Sequence, residues 1–221
     1  RRVATTSEDK TARTWDAVSG RGLVVLRGHE EPLSRAVFSP DGGQLLTSGF
    51  DHTVRLWDAA SGRELRIWRE HGIGEATFSP DGMRMLAAIG NSAAVFDVST
   101  GVKLRGLHGH QRDIKQLEFS RDGARIVTGC GDGTARVWDA ATGRTLTVFQ
   151  RHRSWVETVS FSDDGAHVVS GSGDKTARVW DVSDGREVAV LSHDEHVATA
   201  TFALGGERVV TTAGGGAWLW G

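Results

Sequence analysis

Apolar residues in this chain come in short alternating runs rather than in helical stripes. Between Ser154 and Arg186, Val156, Val159 and Phe161 precede a polar turn, Ser162-Asp163-Asp164-Gly165. His167-Val168-Val169-Ser170 follows, then Gly171-Ser172-Gly173-Asp174-Lys175, then Thr176-Ala177-Arg178-Val179-Trp180-Asp181. After the turn Ser183-Asp184-Gly185, the run Glu187-Val188-Ala189-Val190-Leu191 ends the unit. Period-two runs bounded by Gly, Asp and Ser predict four short strands. Each run falls short of the ~10 residues an ordinary helix needs.

The same unit repeats along the chain. Trp15-Asp16, Trp57-Asp58, Phe96-Asp97, Trp138-Asp139 and Trp180-Asp181 recur every 39 to 42 residues, and Trp220-Gly221 closes the series. His29, His71, His110, His152 and His193 keep the same step. So do the turns Asp41-Gly42, Asp81-Gly82, Asp122-Gly123 and Asp164-Gly165, with Gly205-Gly206 last. The markers divide the chain into repeats at about 1-27, 28-69, 70-107, 108-150, 151-191 and 192-221 of one domain covering 1-221. Four antiparallel strands in some 40 residues make one propeller blade. The fold class expected is therefore all-β, a β-propeller of four-stranded antiparallel blades.

The linked set resembles the Trp-Asp (WD) repeat family across essentially the whole chain. It comprises a His before the first strand, the Ser-Pro-Asp-Gly turn, an Asp six residues before the Trp, and the Trp-Asp pair. The resemblance implies a structural tetrad in which a buried indole N–H meets a Ser or Thr hydroxyl, which meets His, which meets Asp. It maps onto His29, Thr47, Asp51 and Trp57; onto His110, Thr128, Asp132 and Trp138; and onto His152, Ser170, Asp174 and Trp180. Three units depart. The first has Thr5, Asp9 and Trp15 but starts after its His would stand. The third has His71, Ala87, Asn91 and Phe96, and is expected to be the least stable. The last has His193, Thr211 and Trp220 but Gly215 for Asp.

Strand counting expects three strands at each end, the first repeat lacking its innermost and the last its outermost. These ends do not complement one another, so six blades of seven from a longer chain are expected, with a strained six-bladed ring as the second option. The family resemblance implies a non-catalytic protein-interaction scaffold binding proteins or peptides. The alternative is the sensory or regulatory part of a larger signalling protein whose kinase or nucleotide-binding domain lies elsewhere. Partners are expected on the face carrying the loops before each first strand and the b–c hairpins. That face is expected to include Pro32, Ser34, Phe50, Asp113, Lys115, Trp155, Glu157 and His196. Phe50 and Trp155 lead because aromatics dominate interface hot spots. The competing readings are that Trp155 packs between blades and that Phe50 shields a turn.

Composition narrows the chemistry. With 26 basic and 28 acidic residues the net charge is −2, which does not favour nucleic acid or an anionic membrane. The single cysteine, Cys130, cannot form an internal disulfide, and a reducing, cytoplasmic compartment is expected. No run approaches the ~18 apolar residues of a membrane span. No catalytic residue, cofactor or metal is expected. The spacing of His108 and His110, or of His193 and His196, suits a shared ion, but His110 and His193 belong to the repeat and no cysteine completes a site. Gly171 to Thr176 lacks the Gly-Lys of a phosphate loop and reads as a hairpin. Arg55, Arg136 and Arg178, just before each Trp, read as blade-packing residues. Arg112, Arg151 and Arg153 are the candidates for a phosphate-binding cluster.

Overall fold

A computed structural model describes all 221 residues. They form six antiparallel sheets, blades 1 to 6 in chain order. Blade 1 holds β1 (Arg2–Thr6), β2 (Thr11–Asp16) and β3 (Gly22–Arg27). Blade 2 holds β4 (Leu33–Phe38), β5 (Gln44–Gly49), β6 (Thr53–Asp58) and β7 (Glu64–Arg69). Blade 3 holds β8 (Ile73–Phe78), β9 (Arg84–Ile89), β10 (Ser92–Asp97) and β11 (Lys103–Leu107). Blade 4 holds β12 (Ile114–Phe119), β13 (Arg125–Cys130), β14 (Ala135–Asp139) and β15 (Thr145–Phe149). Blade 5 holds β16 (Val156–Phe161), β17 (His167–Ser172), β18 (Thr176–Asp181) and β19 (Glu187–Ser192). Blade 6 holds β20 (Val197–Ala203), β21 (Arg208–Ala213) and β22 (Gly216–Trp220). Every sheet is a meander in chain order, as short hairpin connections require. The residues pack into two compact units, one of Arg1–Gly90 with Val95–Leu104, the other of Asn91–Ala94 with Arg105–Gly221.

Two kinds of turn recur because one carboxylate caps each. In blade 2, Asp41 accepts from the Ser39 hydroxyl and the Gly43 amide, while Gln44 N–H donates to Ser39 Oγ. Gly42 takes φ +72°, a conformation that favours glycine. The Asp of each Trp-Asp pair caps the next turn. Asp58 accepts the amide and hydroxyl of Ser61, both at 2.7 Å. Blade 6 lacks the first device, and Leu204–Gly206 forms a 3-10 turn there.

Apolar cores form where neighbouring blades meet. Trp57 of blade 2 packs with Ala12 and Leu26 of blade 1. Trp180 of blade 5 stacks on Phe149 of blade 4, with ring centroids 5.0 Å apart, inside a cluster with Val127, Val137 and Val168. Blades 2 and 5 thus bury their aromatic against the outermost strand of the preceding blade. Burying a large aromatic stabilises by roughly 2–3 kcal/mol, so blades support one another rather than standing alone.

Candidate functional site

The three mapped tetrads are hydrogen-bonded chains. In blade 2, Trp57 Nε1–H donates to Thr47 Oγ1 at 2.8 Å. Thr47 Oγ1 lies 2.8 Å from His29 Nε2, and His29 Nδ1 lies 2.9 Å from Asp51 Oδ2. Since the hydroxyl already accepts the indole proton, it donates its own to Nε2, and Nδ1–H then donates to the carboxylate. Blade 4 repeats this with Trp138, Thr128, His110 and Asp132 at 2.9, 2.7 and 3.1 Å. Blade 5 does so with Trp180, Ser170, His152 and Asp174 at 2.8, 2.8 and 2.9 Å. Each Asp also accepts the amide after the His: Glu30, Gln111 or Arg153. The tetrad therefore ties the loop before the first strand to the second hairpin and sets the face of the blade.

The electrostatics match a neutral imidazole. Burial lowers the pKa of His29, His110 and His152 below the ordinary 6.5, against the opposing pull of Asp51, Asp132 and Asp174. Burial pushes the three carboxyls up. Hydrogen bonds from backbone amides, from Thr53, Thr134 and Thr176, and from the histidines outweigh it, and Asp174 falls to about 2.

The other blades show what the network needs. In blade 1, Trp15 donates to Thr5 at 2.9 Å, and Asp9 turns to Thr11 and Arg13. In blades 3 and 6 the b–c hairpin is one residue shorter, closing through Gly90-Asn91 and Gly214-Gly215 with positive φ at Gly90, Gly214 and Gly215. The tetrad blades keep a longer turn with an extra positive-φ residue after the Asp: His52, Gly133 or Lys175. Asn91 and Gly215 thus stand in turns one residue shorter than those that hold the tetrad Asp.

The expected partner-face residues divide by unit. Asp113, Lys115, Trp155 and Glu157 come together in one cleft of about 450 Å³, with Arg112 and Gly131 completing its lining. A second hollow continues past Trp155 along Arg112, Gly133, Arg153 and Ser154. Pro32, Ser34 and Phe50 belong to the other unit, where Pro32 O accepts the Phe50 amide and the Phe50 ring is 67 % exposed. His196 is exposed in the loop before β20 and lines neither hollow.

The cleft owes its side chains to a repeated irregularity. The first strand of blades 4 and 5 shifts register between Ile114 and Gln116 and between Val156 and Thr158. These bulges fall on Lys115 and Glu157, and a bulge re-aims the side chain it carries. Trp155 lies with its indole over Gly173, where a Cβ would stand 2.6 Å from the ring. The Trp155 carbonyl accepts from Ser172 and Gly173. The ring is therefore fixed on one face and open on the other, 46 % exposed.

Cys130, at the end of β13, lies beside two members of the blade 4 tetrad. Its ligand atom lies within 4.8 Å of those of His110 and Asp132, a juxtaposition that sequence neighbours do not reveal. The trio does not fit a metal. Both His110 nitrogens are engaged by Thr128 and Asp132, and burial pushes the thiol up to about 11, away from the thiolate a metal takes. The thiol instead donates to the Arg112 carbonyl at 2.9 Å, fixing the rim of the cleft.

The WD domain, G-beta repeat family matches residues 20–58, 101–139 and 143–181, more than half of the chain. The chain belongs to the WD-repeat family. The three matches end on the Trp-Asp pairs of blades 2, 4 and 5, the blades with closed tetrads. The human intraflagellar transport protein 122 homolog (Homo sapiens) is 35% identical over 68 residues, 29% of this chain and 6% of that protein. Nuclear distribution protein PAC1 of Mycosarcoma maydis is 49% identical over 45 residues, 20% of this chain and 10% of that protein. A guanine nucleotide-binding protein subunit beta of Arabidopsis thaliana is 28% identical over 137 residues, 56% of this chain and 36% of that protein. The chain spans a minor part of each relative's length. Members of this WD-repeat family serve in general as interaction scaffolds and are in general non-catalytic.

Proposed function

We propose that this WD-repeat chain holds a protein or peptide partner in the cleft between β12 and β16, with Trp155 as the anchor. The observation that carries the reading is Trp155 itself. A rigid, half-exposed indole in a hollow supplies apolar area at low entropic cost, as interface anchors do. Lys115 and Glu157, set on paired bulges, place one charge of each sign beside it. That arrangement suits a mixed polar segment rather than a single highly charged ligand. Phe50 is a second contact candidate in the other unit. The reducing compartment expected from Cys130 is compatible with its buried thiol.

The test is affinity capture with wild type and Trp155→Ala, with thermal melts run in parallel. Truncating an anchor costs about 2 kcal/mol or more of binding, roughly thirtyfold in Kd. Partners retained by wild type should be lost by Trp155→Ala while the melting temperature stays in place. Equal recovery by a folded variant would remove the cleft as the docking site.

A further inference from the structure

Blade 4 lacks one anion that blades 2 and 5 possess. Arg55, Arg136 and Arg178 stand at the same repeat position, two residues before Trp57, Trp138 and Trp180. Their side chains take the same path. A Cβ on Gly28 would lie 2.7 Å from Arg55 Nη1 and 3.2 Å from the Trp57 ring; on Gly109 the matching values are 2.9 Å to Arg136 and 3.5 Å to Trp138. Arg55 pairs with Glu64 at 2.6 Å, and Arg178 with Glu187 at 2.5 Å. Each also donates Nε–H to a threonine, Thr53 or Thr176. Arg136 has neither partner, and its buried Nε is unsatisfied.

The register shows what stands where the glutamate should be. Trp57 lies opposite Glu64, Trp180 opposite Glu187, and Trp138 opposite Thr145. Thr145 opens β15, the outermost strand of its sheet, and is exposed. Its side chain takes no part in a hydrogen bond, unlike those of Thr142 and Thr147 on either side. A phosphate ester on threonine reaches its oxygens through the same number of bonds from Cα as a glutamate carboxylate, and carries about −1.5 to −2 charge with three acceptor oxygens.

We infer that Thr145 is a phosphorylation site whose phosphate pairs with Arg136, completing in blade 4 the ion pair that Glu64 and Glu187 supply in blades 2 and 5. A separate serine/threonine protein kinase provides the reaction. Thr145 Oγ1 gives its proton to the kinase's base and attacks the γ-phosphorus of a nucleoside triphosphate. The new O–P bond forms as the β–γ bridging bond breaks, and the nucleoside diphosphate leaves. The strand edge presents Thr145 as extended chain, and Arg144 beside it adds a second cation for the product. The pair also bears on the tetrad. Burial lowers the pKa of His29 and His152, and Glu64 and Glu187 are among the carboxylates that oppose this; no carboxylate of that strand acts on His110. Phosphorylation would give His110 the same counterweight.

The experiment has two arms. In the first, phosphothreonine is installed at position 145 in the wild-type background and in Arg136→Met, which keeps the aliphatic stem. The expected result is a melting temperature higher by at least about 3 °C, the size of one charge-assisted contact in a chain of this length. A ³¹P titration should show a second phosphate pKa below the free value of about 6. Both effects should vanish in Arg136→Met. Thr145→Glu should reproduce the thermal gain. Equal shifts with and without Arg136, or a lower melting temperature, would overturn the pairing. In the second arm, the full-length protein from its source cells is mapped by mass spectrometry with phosphatases inhibited. Phosphate on Thr145 is expected; a Thr145 that is unmodified throughout overturns the assignment as a natural site.

Discussion

Blades 3 and 5 solve one packing problem in opposite ways. Blade 5 buries Trp180 and satisfies its indole through Ser170, His152 and Asp174. Blade 3 buries Phe96 as completely, with Ala87 at the hydroxyl position and His71 exposed to solvent. Trp68 meets Phe96 edge-on, centroids 6.3 Å apart, and sends its own N–H to the Gly101 carbonyl. Between these two blades the network is kept whole in one and dropped whole in the other. Replacing every partner by an apolar group is nearly neutral, whereas losing one strands the others. Blade 6 is the stranded case. Trp220 still donates to Thr211, but both ring nitrogens of His193 are buried without partners, the ring lying against Trp218 and Trp220. The sequence ranks blade 3 as least stable; the geometry puts the largest unmet polar cost in blade 6.

The sharpest way to break the comparison is Ser170→Ala, which copies blade 3 at one position only. It leaves the Trp180 N–H and His152 Nε2 without their shared partner. A loss of about 2–4 kcal/mol is expected in chemical denaturation, since two buried groups go unpaired. A loss under about 0.5 kcal/mol would mean that the tetrad contributes register and not stability.

Acid gives a smaller and graded effect. His29, His110 and His152 have folded pKa values below 6.5, while the unfolded chain titrates near 6.5. The unfolded state therefore binds more protons as pH falls through that value, so the stabilisation present above it is lost on acidification. Asp51, Asp132 and Asp174, lowered from 3.8, extend the loss to lower pH. Denaturation midpoints should decline steadily from pH 7 to pH 5. A flat profile would show that the rings remain paired when charged.

The smallest effect belongs to His71→Ala, expected within about 0.5 kcal/mol because the ring is exposed. Its only aromatic neighbour is His52, with centroids 5.7 Å apart. A cost approaching that of Ser170→Ala would show that blade 3 uses its histidine after all, and would erase the contrast.

Much of the architecture was legible because the repeat writes it several times. Six aromatics in step, with Asp-Gly turns between them, place the blades without any tertiary information, and the tetrad members lie at fixed offsets within each unit. The cleft was legible only in part. Asp113, Lys115, Trp155 and Glu157 follow from repeat position, yet the bulges that aim Lys115 and Glu157 leave no clear mark in the pattern. The short hairpins that hold Asn91 and Gly215 were hidden for a related reason. Counting forward from Ala87 or Thr211 assumes a constant hairpin, and both hairpins are shorter.

By itself, then, the sequence determined the strand pattern, the identity of the repeat, and which blades carry a complete set of donors and acceptors. These are local properties, set by period-two alternation, by turn residues and by hydrogen-bonding groups at fixed spacing. Only the tertiary structure decided which groups find partners. It left His193 unsatisfied, turned Cys130 toward the Arg112 carbonyl, gathered four residues of two blades into one cleft, and set Thr145 opposite Trp138, two residues along from the arginine that lacks a carboxylate. The physical reason is that pairing depends on bulges, turn lengths and cross-strand register. A shift of one residue there changes which side chains meet while leaving the pattern along the chain almost unaltered.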